Sequence, residues 1–206
     1  MLDLPKSTHV GKIIAKEKIC AHCGADLQRK GLLKEQVERV RWLHKISSTT
    51  ANIAQGKRVE EIQIIEVMLK TPVPDKRILL AILAAIRYKI VFVLVLGGKV
   101  TYTVYHDSKT CFASEAPPKL LGDDTDSVWE SFVVQMKGGG LIGGNTLDEQ
   151  IAAEKEREKL ARKIERLDKQ TRRERQPRRK WDLNEEVKRL KKEWEGTYGK
   201  TEHADP

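Results

Sequence analysis

Three groups of residues in this 206-residue chain have types and spacings that bear on chemistry. The densest is the run at 169–180, KQTRRERQPRRK, which sets seven cations against Glu174 alone. Arg172, Arg173, Arg175, Arg178, Arg179 and Lys180 flank Pro177, and a proline ends a helix that runs into it. These cations therefore gather at a bend. Such a cluster suits the phosphates of nucleic acid, each contact steepening the salt dependence of binding. A solvated charged arm is the plainer reading of the same run. Trp181 is the one aromatic interleaved with it, so a stacking platform for single strands is not indicated.

The second group is Glu66 with Lys70. Restriction-type nucleases place a carboxylate and a lysine two residues apart on one strand face, about 6–7 Å along the strand, so that both reach one metal-bound phosphate. Here the pair is four residues apart, roughly 13 Å, and Met68 stands where the lysine is needed. A divergent nuclease using Mg at Glu66 and Lys70 is the alternative reading, and a carboxylate paired to a neighbouring cation is the plainer one. The third group is Cys20-Ala-His-Cys23, with the spacing of half a zinc site that His106 and Cys111 could complete. Free thiols are the plainer reading there, and a zinc-stapled interaction domain the sharper one. Lys6-Ser7-Thr8 lacks the upstream glycine of a phosphate loop.

The elements that must position these residues follow from periodicity. Residues 61–70, EIQIIEVMLK, predict a strand with apolar residues on both faces, hence an inner strand covered on both sides. Residues 75–88 predict a buried helix capped by Asp75, and 89–96, KIVFVLVL, a strand leading through Gly97-Gly98 into another at 99–105. Two glycines between β-rich runs suit a type I′ hairpin turn. The result is a β-α-β-β core of the α/β (α+β) class, capped by helices. Apolar positions at Leu33, Val37, Val40, Leu43 and Ile46 predict one amphipathic helix over 25–46, lying on the sheet. Residues 51–53 and 111–116 are expected as further short strands, and 127–136 as a helix with Val128, Trp129, Phe132 and Val133 inward.

After the core domain at 1–137, a glycine-rich linker at 138–145 leads into a charged helical arm at 146–206. Its first seam runs Ala153, Leu160, Ile164, Leu167, Thr171, and its second, opened by Asp182 with Glu185, runs Leu183, Val187, Leu190, Trp194. Joined at a proline, these make a helical hairpin or a coiled-coil arm that pairs with a partner helix through Leu160, Ile164 and Leu167.

A net charge of +9 favours acidic partners, nucleic acid first. The N-terminal residues show no apolar signal region, and three cysteines fit a reduced, cytoplasmic setting. Arg87 and Lys89 interrupt the apolar stretch at 78–96, so no membrane span is expected.

The segments LDLPKSTHVGK, RWLHKIS with TANI, EEIQIIEVMLK and KIVFVLVL resemble a bacterial family catalogued as domain of unknown function 4391, over residues 1–115 and less beyond. That resemblance implies an accessory component of DNA restriction and anti-phage loci, acting beside helicases and DNA methyltransferases, and supplies no catalytic residues. The expectation is a cytoplasmic, non-catalytic subunit without a cofactor, binding DNA or such a partner.

Overall fold

The β-branched run at 61–70 forms β3 (Ile62–Leu69), the middle of the fold. The computed structural model describes residues 2–22, 27–108, 110–138 and 147–198, in two compact units, Met1–Gly140 and Leu141–Pro206. In the first unit six strands pair in chain order: β1 (His9–Ile14), β2 (Val37–Ile46), β3, β4 (Lys89–Leu96), β5 (Lys99–Tyr105) and β6 (Cys111–Ser114). β3 and β4 run parallel, whereas the other neighbours are antiparallel. A parallel pair needs a crossover, and α3 (Lys76–Ala85) supplies it. The Asp75 carboxylate caps α3 by accepting from the Arg77 amide. The Arg77 side chain and amide hold that carboxyl down to about 2.

Both faces of the sheet are covered, as the two-sided apolar pattern of β3 requires. On one face Ile65, Val67, Ile90 and Phe92 meet Ile78 and Ile82 of α3, Ile19 of α1 (Lys16–His22) and Leu33 of α2 (Leu27–Gln36) in one buried cluster. The alternate residues, Ile64, Val91, Val93 and Val104 among them, are buried on the other face. That face is covered by α4 (Thr125–Lys137), which packs on β5 and β6 with Val128, Trp129, Phe132 and Val133 inward as expected. The β4–β5 turn has positive φ at both Gly97 (55°) and Gly98 (88°), as a type I′ turn demands.

The single helix expected over 25–46 is not formed. Its first part is α2, but its second part is β2. Two bulges explain the misleading spacing: Val37 and Arg39 oppose the adjacent residues Leu69 and Met68, and Trp42 and His44 oppose Ile65 and Ile64. The first extra residue turns Val37 and Val40, three apart, toward the same cluster, which mimics a helical repeat. Likewise the strand expected at 51–53 reduces to a single bridge, Ala54 with Asp124.

The loop after β2 is fastened to the start of α4 by polar groups instead. The Asp126 carboxylate accepts from the amides of Lys57 (2.9 Å), Arg58 (3.1 Å) and Val59 (2.7 Å). Buried Thr125 accepts from the Gly56 amide at 2.8 Å and donates to the Val59 carbonyl. A side chain at Gly56 would fall 2.7 Å from the Asp126 amide nitrogen, so only glycine permits this approach.

The second unit is a helical hairpin of α5 (Leu147–Arg173) and α6 (Pro177–Tyr198), the arrangement expected of the arm. Leu167, Val187 and Leu190 form its buried seam, with Leu160, Ile164 and Leu183 packed against them. Arg157 lies over the Trp194 ring, and Lys163 bridges to Glu186. α6 begins at Pro177 rather than Asp182. Proline is well suited to the first helical position because its missing N–H would have no intrahelical acceptor there.

Burial tends to raise the pKa of Asp126, but the Val59, Arg58 and Lys57 amides, with the Arg58 charge, outweigh it and lower the value. A carboxyl depressed on folding contributes stability above its unfolded pKa, about 3.9, and loses it as pH falls through the lower folded value. Asp126→Ala is expected to cost about 1–3 kcal/mol at pH 7 by leaving the amide of buried Val59, and those of exposed Lys57 and Arg58, without their acceptor, read from urea unfolding. The gap between variant and wild type should shrink as the buffer is taken below about pH 4.

Candidate nucleic-acid interface

The basic run folds into the elbow of the hairpin. α5 ends at Arg173, three residues turn the chain, and α6 starts at Pro177. Arg172 and Arg173 therefore sit in the last turn of one helix and Arg178, Arg179 and Lys180 in the first turn of the next, with Arg175 between them. All six are exposed. Cations at a helix C-terminus are favourable, whereas cations at an N-terminus oppose the dipole, and the first turn of α6 carries no acid to offset them. Arg172 is paired with Asp168 at 2.8 Å and Arg179 with Glu174 at 3.6 Å. Among the described residues Arg173, Arg175, Arg178 and Lys180 have no carboxylate partner. Trp181 follows directly, 65% exposed.

Sequence reasoning missed the residue that holds this turn. Glu174 is the lone acid in the run, yet its side chain is only 18% exposed. One carboxylate oxygen accepts from the amides of Arg175 (2.9 Å) and Gln176 (3.0 Å), donors of the turn that leads into the N-terminus of α6. The Gln176 amide, then that of Arg175 and the charge of Arg179, hold the Glu174 carboxyl below its ordinary value against the opposing effect of burial. Its position three residues before a proline that starts a helix was the available signal.

Leu160, Ile164 and Leu167, expected to pair with a partner helix, lie in the hairpin's own seam against α6. A partner using that seam would first have to open the hairpin.

The other two groups do not converge. Glu66 faces Arg41 across the β2–β3 pair, 3.2 Å from its guanidinium, while the Lys70 ammonium donates to the Lys34 carbonyl at 3.1 Å. Met68 accepts from Arg39 at 2.8 Å. Glu66 and Lys70 thus serve different neighbours. Of the zinc set, Cys23 lies outside the described residues. Cys20 packs against the α1–α3 side of the core, Cys111 is exposed on β6 opposite Tyr105, and the His106 amide donates to the Thr110 carbonyl. Among the described residues no three His, Cys, Asp or Glu side chains gather as a metal site. No helix among them is long and apolar enough to cross a membrane.

Residues 2–193 match the family described as Domain of unknown function (DUF4391). The chain belongs to this family. The match runs through both units, well past the segments at 1–115 that carry the resemblance in sequence, so the hairpin is part of what defines the family. Comparison with curated proteins and with solved structures gives no match.

If Glu174 organises the elbow, Glu174→Ala should accelerate amide hydrogen exchange at Arg175 and Gln176 by about fivefold or more, the scale of one lost hydrogen bond. Amides in the middle of α5 and α6 should keep their wild-type protection. Unchanged exchange at the turn would show that the helix ends alone hold it.

Proposed function

We propose that the protein is a cytoplasmic, accessory and non-catalytic subunit of a bacterial restriction-type defence system, whose elbow contacts DNA phosphates beside a helicase or DNA methyltransferase partner. The observation that carries the DNA reading is the set of four exposed cations without carboxylate partners, Arg173, Arg175, Arg178 and Lys180, on one turn. A helical hairpin selected for stability alone would place acids in the first turn of α6. Here the local rule is broken toward positive charge, as a phosphate-binding surface needs. The exposed Trp181 ring adds a flat apolar surface beside the cations. The defence setting and its partners follow from the family resemblance, and the reading assigns the chain no metal or cofactor.

Fluorescence anisotropy of a labelled duplex, titrated with the full chain across a salt series, tests the DNA contact. Affinity should fall linearly on a log–log plot, with a slope of about −0.9 per phosphate neutralised. Arg173→Glu with Arg175→Glu and Arg178→Glu should flatten that slope by roughly 2–3 and weaken binding at low salt. Binding that ignores both salt and these substitutions would overturn the reading.

A further inference from the structure

A second set of cations, far from the elbow in sequence, surrounds a cavity of the first unit. The cavity, about 670 Å³, lies between α1, α2 and the start of β2, within the range of small-ligand sites. Lys16 of α1, Lys30 and Lys34 of α2, and Arg39 of β2 line it. Lys30 and Lys34 are one helical turn apart and so share a face. Glu17 and Glu38 also line the cavity, yet among the described residues neither is within ion-pair distance of these cations.

Of the four, Lys16 and Arg39 are half-buried and held in place, whereas Lys30 and Lys34 are exposed. The Lys16 ammonium donates to the Val37 carbonyl at 2.5 Å, and Lys70 donates to Lys34 at 3.1 Å. Both cations thereby satisfy carbonyls around the C-terminus of α2, and each ammonium keeps two further donors. Burial, and then the nearby charge of Lys70, lowers the Lys16 pKa against the opposing charges of Glu17 and Glu38. Arg39 uses one guanidinium nitrogen on the Met68 sulfur, and its Nε is buried without a hydrogen-bond partner among the described residues. Four cations thus outnumber the two acids in the wall, and the Lys16 ammonium is positioned with donors to spare, a balance that suits an anion. The rest of the wall, including Ile13 and Leu33, is apolar and suits the organic body of a ligand.

We propose that this cleft binds a phosphoryl group carried on an organic body, through Lys16, Lys30, Lys34 and Arg39. A mononucleotide and the phosphorylated end of a nucleic acid share that chemistry. Isothermal titration of the full chain with ADP, with inorganic phosphate and with a 5′-phosphorylated single-stranded oligonucleotide separates these sources. Lys30→Glu with Lys34→Glu, both exposed positions whose change should leave the circular dichroism intact, and separately Arg39→Gln, should each weaken binding about tenfold or more. Loss of ADP or phosphate binding in both variants supports a free phosphorylated ligand. Loss confined to the phosphorylated oligonucleotide supports the same site with a nucleic-acid end as its source. The triple elbow substitution should leave ADP binding unchanged, so failure at the elbow does not count against the cleft. No binding of any of the three probes by the wild-type chain, or affinities unmoved by the cleft substitutions, would overturn the proposal.

Discussion

Burial of β3 on both faces is the constraint on which the first unit depends. A strand whose side chains are apolar on either side must be covered twice, and its parallel neighbour β4 can be reached only by a crossover. The crossover α3 is therefore both a connection and part of the cover, joined by α1 and α2 on one face and opposed by α4 on the other. The path from β2 to β3 runs past the start of α4. It pairs there only at the Ala54–Asp124 bridge, so its other amides need other acceptors. Asp126 and Thr125 provide them, which makes the N-terminus of α4 a clamp on the loop as well as a capped helix start.

Much of this was legible from residue types. The strands at 89–96 and 99–105 appear in the structure with those bounds, because β-branched runs and a Gly-Gly turn are local signals that agree with the tertiary fold. β2 was misread because its two bulges convert a period of two into spacings that resemble a helix. β1 escaped notice because it is an edge strand, with Ile13 exposed and Gly11 at φ 67° in place of an alternating apolar face. The start of α6 was placed late because Pro177 was read as a break, whereas a proline is equally a first residue.

The candidate sites divide along the same line. The elbow cations were visible because they are contiguous, and their exposure follows from their charge. The pairing of Glu66 with Arg41 needed the β2–β3 register, which the misassigned helix had hidden. The cleft was invisible for a related reason. Lys16, Lys30, Lys34 and Arg39 are spread over three elements, and they meet only because α2 runs directly into β2 at Val37, where the sequence reading had continued the helix.

The two cation clusters also differ in how they bear on stability. Elbow cations are solvated, so their repulsion is screened by salt and costs the hairpin little. In the cleft Lys16 and Arg39 are half-buried, and the Lys16 ammonium is tied to the Val37 carbonyl where α2 meets β2, with Lys70 on the Lys34 carbonyl beside it. Removing Lys16 would strip the Val37 carbonyl of β2, and removing Lys70 the Lys34 carbonyl of α2, of a donor as well as remove a charge. Lys30 and Lys34 donate to no described partner through their ammonium groups. The cleft thus contains cations that hold the α2–β2 junction and cations that do not, and only the second kind can be reversed without loosening the fold that brings the cluster together.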